Sequence, residues 1–279
     1  MPFDNLPTQT QMSPLAEAYA AEILERSRQV AATTRVLLDV PYGDDYWQRL
    51  DIYLPAKDGL RDLPVLLFLH GGGWSNGYKE WMGFMAPCFT DLPAIFVSVG
   101  YRLLPEVRFP APFDDTVAAL AWVHANIARH GGSPDRLFIG GHSAGGHLSA
   151  LATLRRDKLT QAKLPHDVVK ACFLVSAVCK FEIGELEARG KFLLARPEDA
   201  PEASPINFVE GNRVPFHVVW GDNDLDRVLT TSAPMVEALR RAGGRVEHQV
   251  FAGYDHFMPS IDGGRRDSAW VQTVRAWMK

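Results

Sequence analysis

Ser143 sits in Gly141-His142-Ser143-Ala144-Gly145, with further glycines at 140 and 146 and apolar residues on both flanks. A hydroxyl among residues with almost no side chain fits a sharp strand-to-helix turn. There the serine takes strained backbone angles, and bulk on either side would clash. Two other glycine-rich chemistries do not fit. No Gly-x-x-x-x-Gly-Lys run is present for a P-loop, and the glycine spacing is wrong for a dinucleotide fingerprint. A serine hydroxyl is a weak nucleophile near neutrality. It needs a base within hydrogen-bond reach and a carboxylate to orient that base.

After such a turn the expected chain order is serine, acid, histidine. Asp222, Asp224 and Asp226 follow an apolar run that ends at Trp220-Gly221. Asp224 is chosen, with Asp222 and Asp226 as rivals whose plainer role is loop charge or a helix cap. His256 lies in a loop after the last strand-like run, which ends near Phe251. The other histidines lack that position. His124 and His130 fall on or just after a helix, and His166, His217 and His248 occupy no strand-end loop. Acyl chemistry also needs donors for a developing oxyanion. His70-Gly71-Gly72-Gly73-Trp74 closes a strand-like run and bares backbone N–H groups. That predicts donors at Gly72, Gly73 and Ala144. His70 is expected to brace this loop. His142 and His147 lack a His-Glu-x-x-His frame, so no metal is expected.

These residues need a frame. Ser13-Pro14 opens an amphipathic helix over 14–29. Residues 34–40 and 48–54 alternate like paired strands. Residues 63–70 and 94–100 are continuous apolar runs, as expected of buried parallel strands, and 136–140, 168–177, 215–221 and 245–251 are strand-like. Helices are expected over 114–129, from Ala144 to Leu154, and at about 230–242 and 266–278. Alternation of strand and helix predicts an α/β fold, a mostly parallel sheet with helices on both faces. One domain over 1–279 is expected, with a helical N-terminal segment at 1–33. The irregular stretch 178–214 reads as a small lid. Net charge is −4 and 47% of residues are hydrophobic, so neither nucleic acid nor an anionic membrane is an expected partner. Three cysteines in no Cys-x-x-Cys pair suggest buried thiols. The first residues carry no signal-peptide pattern, and no apolar run reaches a membrane span, so a cytoplasmic location is expected.

The sequence resembles the α/β-hydrolase esterases, specifically the hormone-sensitive-lipase-like and arylformamidase (kynurenine formamidase)-like groups. The matching stretches are His70 to Trp74, Tyr101-Arg102-Leu103-Leu104-Pro105-Glu106, Phe109-Pro110-Ala111, Gly141 to Leu148, Gly221 to Asp224, and Asp255-His256-Phe257. The resemblance covers the chain from about Val36 to the end. The resemblance implies an α/β-hydrolase fold with a small lid, and an acid at the Asp of Gly-x-x-Asp, which is Asp224. It departs from the lipase-like branch in lacking a large helical N-terminal cap and an Asp-Pro-Leu acid motif. That favours the formamidase and feruloyl-type esterase side.

The expected function is hydrolysis of a small carboxylic ester through Ser143, Asp224 and His256, with no cofactor and a small-molecule ester or amide as substrate. An arylformamidase is the rival within the class. Trp74, Tyr78, Trp81 and Phe84 would suit a flat aromatic substrate, with His142 beside them, although ordinary core packing accounts for them equally well. A non-catalytic ligand-binding homologue is the rival from another class, and a peptidase is disfavoured. A homodimer is compatible with the sequence.

Overall fold

The computed structural model describes residues 2–181 and 193–279. Among them, one sheet holds β1 Arg35–Pro41, β2 Arg49–Leu54, β3 Leu63–Leu69, β4 Ile95–Val99, β5 Gly132–His142, β6 Val169–Val175, β7 Phe216–Gly221 and β8 Val246–Phe251. Their order across the sheet is β1-β2-β4-β3-β5-β6-β7-β8. β2 runs antiparallel to both neighbours, and every other pair is parallel. The long helices are α1 Pro14–Thr33, α2 Ala111–Asn126, α3 Ala144–Leu154, α4 Asp226–Arg241 and α5 Ala269–Met278.

The continuous apolar runs become strands buried on both faces. Every residue of β3, β4 and β7 is buried. Alternation divides each strand between two cores. Val65, Leu67 and Leu69 join residues of α2, α3 and α4 on one face. Leu66 and Phe68 join residues of α1 and α5 on the other. β8 is an edge strand and exposes Glu247 and His248.

From β3 the chain moves one way to β4, then returns to β5 and proceeds the other way. The crevice of such a sheet lies at that reversal, outside the carboxyl ends of the strands. The register aligns those ends: Leu69 pairs with Gly141, Gly141 with Leu174, Val175 with Val219, and Gly221 with Phe251. Loops leaving β3, β5, β7 and β8 therefore meet at one edge.

Several boundaries differ from the sequence expectation. α1 continues four residues past 29, to Thr33, after the Ser13 side chain caps it by accepting from Ala16 N at 3.1 Å. α2 begins at Ala111 because Pro112 fits a first helical turn. α4 begins at Asp226, so this acid is a first-turn residue on the helix and not loop charge. The N-terminal segment is not helical throughout: residues 5–12 hold no helix. Of the expected lid, residues 182–192 lie outside the described residues. Its remainder forms short turns at Pro197–Asp199, Ala200–Ala203 and Pro205–Phe208. Leu193, Leu194, Ala200 and Ala203 are buried in the core that includes α3, so this part is a packed wall. No helix among the described residues is long and apolar enough to cross a membrane.

Candidate active site

Ser143 follows β5 with φ 53° and ψ −117°, strained angles for a residue with a Cβ. Its N–H donates to the Val175 carbonyl of the neighbouring strand at 2.8 Å, which fixes the turn. Gly145 explains the glycine pattern. A Cβ there would lie 2.2 Å from the Leu69 carbonyl oxygen, so α3 could not approach β3 with any larger residue.

Ser143 Oγ lies 2.9 Å from His256 Nε2, and His256 Nδ1 lies 2.6 Å from Asp224 Oδ1. With Nδ1 protonated and donating to Asp224, Nε2 is left to accept from the serine. All three are buried. Burial is the largest single influence and works against the charge on Asp224, but the hydrogen bond and charge of His256, with hydrogen bonds from Ser176 and Leu225 N, together hold the carboxyl below its usual range. Leu225 N adds a bond to Asp224 Oδ1 at 2.7 Å. The rival acids have other partners or positions. Asp222 Oδ1 accepts from Gly253 N at 2.7 Å, which closes the turn after β8. Asp226 opens α4.

The His256 loop is built locally. Asp255 Oδ1 accepts from Phe257 N at 2.8 Å and Met258 N at 3.0 Å, turning the chain into the helical turn Met258–Ile261. Tyr19 of α1 stacks on Phe257 with centroids 4.6 Å apart, and its hydroxyl meets Ser260 Oγ at 2.8 Å. α1 thereby braces the loop from outside.

The glycine loop is held as firmly. Gly72 has φ +111°, and a Cβ there would sit 2.1 Å from the Asn76 carbonyl oxygen. The Gly72 carbonyl accepts from Ser75 N at 3.2 Å and Asn76 N at 2.9 Å. Tyr101 stacks on His70 at 4.3 Å and donates to its backbone carbonyl at 2.8 Å. Arg102 forks onto Asp115 of α2, with Nη2 to Oδ1 at 2.6 Å and Nε to Oδ2 at 2.9 Å, which ties down the segment after β4. Ala144 is the first residue of α3, and the first N–H groups of a helix have no intrahelical acceptor.

Sequence reasoning missed the strap formed by residues 7–12. Gln9 clamps the Gly77 backbone, giving Nε2 to its carbonyl at 3.2 Å and taking its N–H on Oε1 at 2.7 Å. Asn76 Nδ2 donates to the Thr10 carbonyl at 2.9 Å, and Tyr78 donates to the Pro7 carbonyl. These contacts join residues 66–71 apart in sequence, and no local pattern announces them. A cleft of about 360 Å³ opens between the strap and the Leu103–Arg108 segment, with Trp47 and Asn76 in its lining. The buried Lys79 was also missed. Its ammonium meets Asp39 at 2.8 Å, Asp51 at 2.9 Å and Glu80 at 2.5 Å.

The aromatic residues expected around a substrate are engaged with the protein. Tyr78 stacks on Trp47, and Trp81 meets Tyr19 edge to face. Phe84 lies under Arg26 of α1 in the core beneath α1 and α5. Trp74 is buried and donates to His147. His142 gives Nε2–H to the His256 carbonyl at 2.9 Å. Burial pushes His70 and His147 down to about 4 and His142 to about 3, so all three are neutral at pH 7.

With this geometry, residues 50–239 match the family described as BD-FAE. The chain belongs to the BD-FAE family. This BD-FAE chain is 32% identical over 260 residues to esterase LipC of Mycobacterium tuberculosis, covering 86% of this chain and 63% of that protein. It is 29% identical over 238 residues to kynurenine formamidase of Danio rerio, covering 84% and 78%. Among solved structures, the carboxylesterase EstE1, cloned from a metagenomic library, superposes with TM-score 0.73 at 26% identity, covering 94% of this chain and 97% of that one. The BD-FAE chain thus has the α/β-hydrolase fold of these esterases. It spans less than two thirds of the length of the mycobacterial esterases LipC and LipQ.

Proposed function

We propose that the protein is a serine hydrolase that cleaves small carboxylic esters through an acyl-enzyme. The observation that carries this reading is the chain of contacts from Ser143 Oγ to His256 Nε2, 2.9 Å, and from His256 Nδ1 to Asp224 Oδ1, 2.6 Å, at the turn where the serine is strained. The kinship to proteins named as esterases supports it.

Ser143 Oγ attacks the ester carbonyl while His256 Nε2 takes its proton. Asp224 holds the imidazole in the required tautomer and stabilises the imidazolium. The carbonyl oxygen becomes an oxyanion, which accepts from the N–H groups of Gly72, Gly73 and Ala144. The tetrahedral adduct expels the alcohol, which receives the proton from His256. Water then attacks the acyl-serine, again giving a proton to His256. Collapse releases the carboxylic acid and returns the proton to Ser143.

Ester is preferred over formamide as the substrate class, because most of the similar proteins are named as esterases. A panel of p-nitrophenyl esters of rising chain length, run beside N-formylkynurenine and with Ser143→Ala as control, tests the reading. Ester turnover lost in Ser143→Ala is expected. Turnover of N-formylkynurenine alone would move the protein to the amide side.

A further inference from the structure

We propose that Trp74 and His147 are paired positioning residues that set the glycine loop at a fixed distance from Ser143. The inference rests on the ester-hydrolase reading above and assigns a role to two residues that the reaction itself does not use.

Trp74 has φ +61°, a left-handed conformation that a bulky residue rarely takes. It directly follows Gly73, so its backbone angles set where the Gly72 and Gly73 amides lie. Such a conformation persists only where the surroundings over-determine it. Here they do. The indole Nε1–H donates to His147 Nδ1 at 3.2 Å, and Leu104 N donates to the Trp74 carbonyl at 2.9 Å. The Trp74 and His147 rings meet at 90° with centroids 5.3 Å apart, and Phe181 closes on both, at 5.6 Å and 5.2 Å.

His147 can serve only in one state. Its Nδ1 accepts from the indole, so Nε2 must carry the proton, and that nitrogen lies 2.7 Å from the Ala203 carbonyl. A protonated imidazole would turn a second N–H toward the indole donor. Full burial keeps the ring neutral, consistent with its lowered pKa. The backbone N–H of His147 also donates to the Ser143 carbonyl at 3.0 Å in the first turn of α3. One short path therefore runs from the Ser143 backbone through His147 and Trp74 to Gly73. It ties the nucleophile to the loop that supplies oxyanion donors, and its far end is seated on the 193–214 wall.

Trp74 as a platform for the substrate predicts a different kinetic signature, a raised KM. A positioning role predicts a lower kcat with KM kept, because the transition state alone feels a displaced donor. The test measures kcat, KM, melting temperature and pH–rate profile on p-nitrophenyl acetate for the wild type, Ser143→Ala, Trp74→Phe, His147→Phe, His147→Gln and the double phenylalanine variant. Each single phenylalanine change is expected to lower kcat about 10–100-fold, as for a small misplacement of a reacting group, with KM held within about twofold. The double variant should fall no further than the worse single, the pH–rate profile should keep its shape, and His147→Gln, which retains an acceptor and a donor, should recover part of the loss. Wild-type kcat in Trp74→Phe, a raised KM alone, or multiplicative losses in the double variant would overturn the pairing. Trp74→Phe decides by itself should His147→Phe fail to fold. Full activity in Ser143→Ala would instead remove the underlying reading and this inference with it.

Discussion

His142 and His256, 114 residues apart, are joined by a 2.9 Å bond from the His142 ring to the His256 backbone carbonyl. The bond holds the base through its main chain and leaves both His256 ring nitrogens for Ser143 and Asp224. The residue between Gly141 and Ser143 therefore supports the His256 loop through its Nε2. His142→Phe leaves a buried carbonyl unpaired, which costs about 1–3 kcal/mol of stability. The kcat should fall with it, and His142→Gln, which retains a donor, should lose less. Thermal unfolding with parallel ester kinetics checks both. A His142→Phe enzyme as stable and active as the wild type would contradict this role.

Of the three aspartates, Asp224 is the one in contact with His256. Asp224→Asn should lower kcat by about 10⁴-fold, since an amide favours the wrong imidazole tautomer. Asp222→Asn should cost mainly stability, because the lost charge weakens the turn bond to Gly253, and Asp226→Asn should change little. Steady-state kinetics on the three variants gives the ranking. A crippled Asp226→Asn enzyme would show that the contact to His256 is not the one used.

Buried neutral histidines make the fold acid-sensitive. Burial lowers His70, His147 and His217 to about 4 and His142 to about 3, against 6.5 for an ordinary histidine. Below pH 6.5 the unfolded chain binds protons that the folded chain refuses. Each such group therefore removes up to about 1.4 kcal/mol per pH unit as pH falls toward its folded pKa. Stability should be flat above pH 7 and drop steeply from pH 6.5 to 4. Urea unfolding across that range measures it, and a midpoint unchanged at pH 4.5 would show that these rings are not buried neutral.

Close approach at the turn makes Gly145 irreplaceable. Gly145→Ala would place a Cβ 2.2 Å from the Leu69 carbonyl oxygen, and backbone cannot move aside as a side chain does. The expected loss is about 3 kcal/mol, the upper end of ordinary overpacking, with little activity left. Differential scanning calorimetry of the variant provides the check.

Where the sequence carries period and punctuation, it is readable. The strands that place Ser143, Asp224 and His256 are strand-like stretches closed by loops, and Gly-x-Ser-x-Gly names its own turn. Asp224 could be ranked above its neighbours only through family likeness, because three acids in five residues share one local pattern. What stayed hidden is contact between distant segments. The clamp of Gln9 on Gly77, the Trp74 to His147 bond and the grip of His142 on the His256 loop depend on how the strands lie side by side. The aromatic residues 74–84 illustrate the limit, since a ring in a core and a ring beside a substrate have the same sequence. Tyr78, Trp81 and Phe84 prove to be packed against Trp47, Tyr19 and Arg26.

A preference for short acyl chains is expected from the sequence, in which the insertion at 178–214 is short. A further methylene gains up to about 0.8 kcal/mol only while apolar surface remains to cover it. The kcat/KM should peak between acetyl and butyryl esters and decline by octanoyl. A rate still rising at octanoyl would contradict this expectation.

Covalent capture is the direct test of Ser143 as the nucleophile. The protein is treated with a p-nitrophenyl phosphonate, digested and mapped by mass spectrometry. The account predicts one adduct, on Ser143 Oγ, formed in step with loss of ester hydrolysis and absent from Ser143→Ala. An adduct on any other residue, or inactivation with Ser143 unmodified, would contradict it.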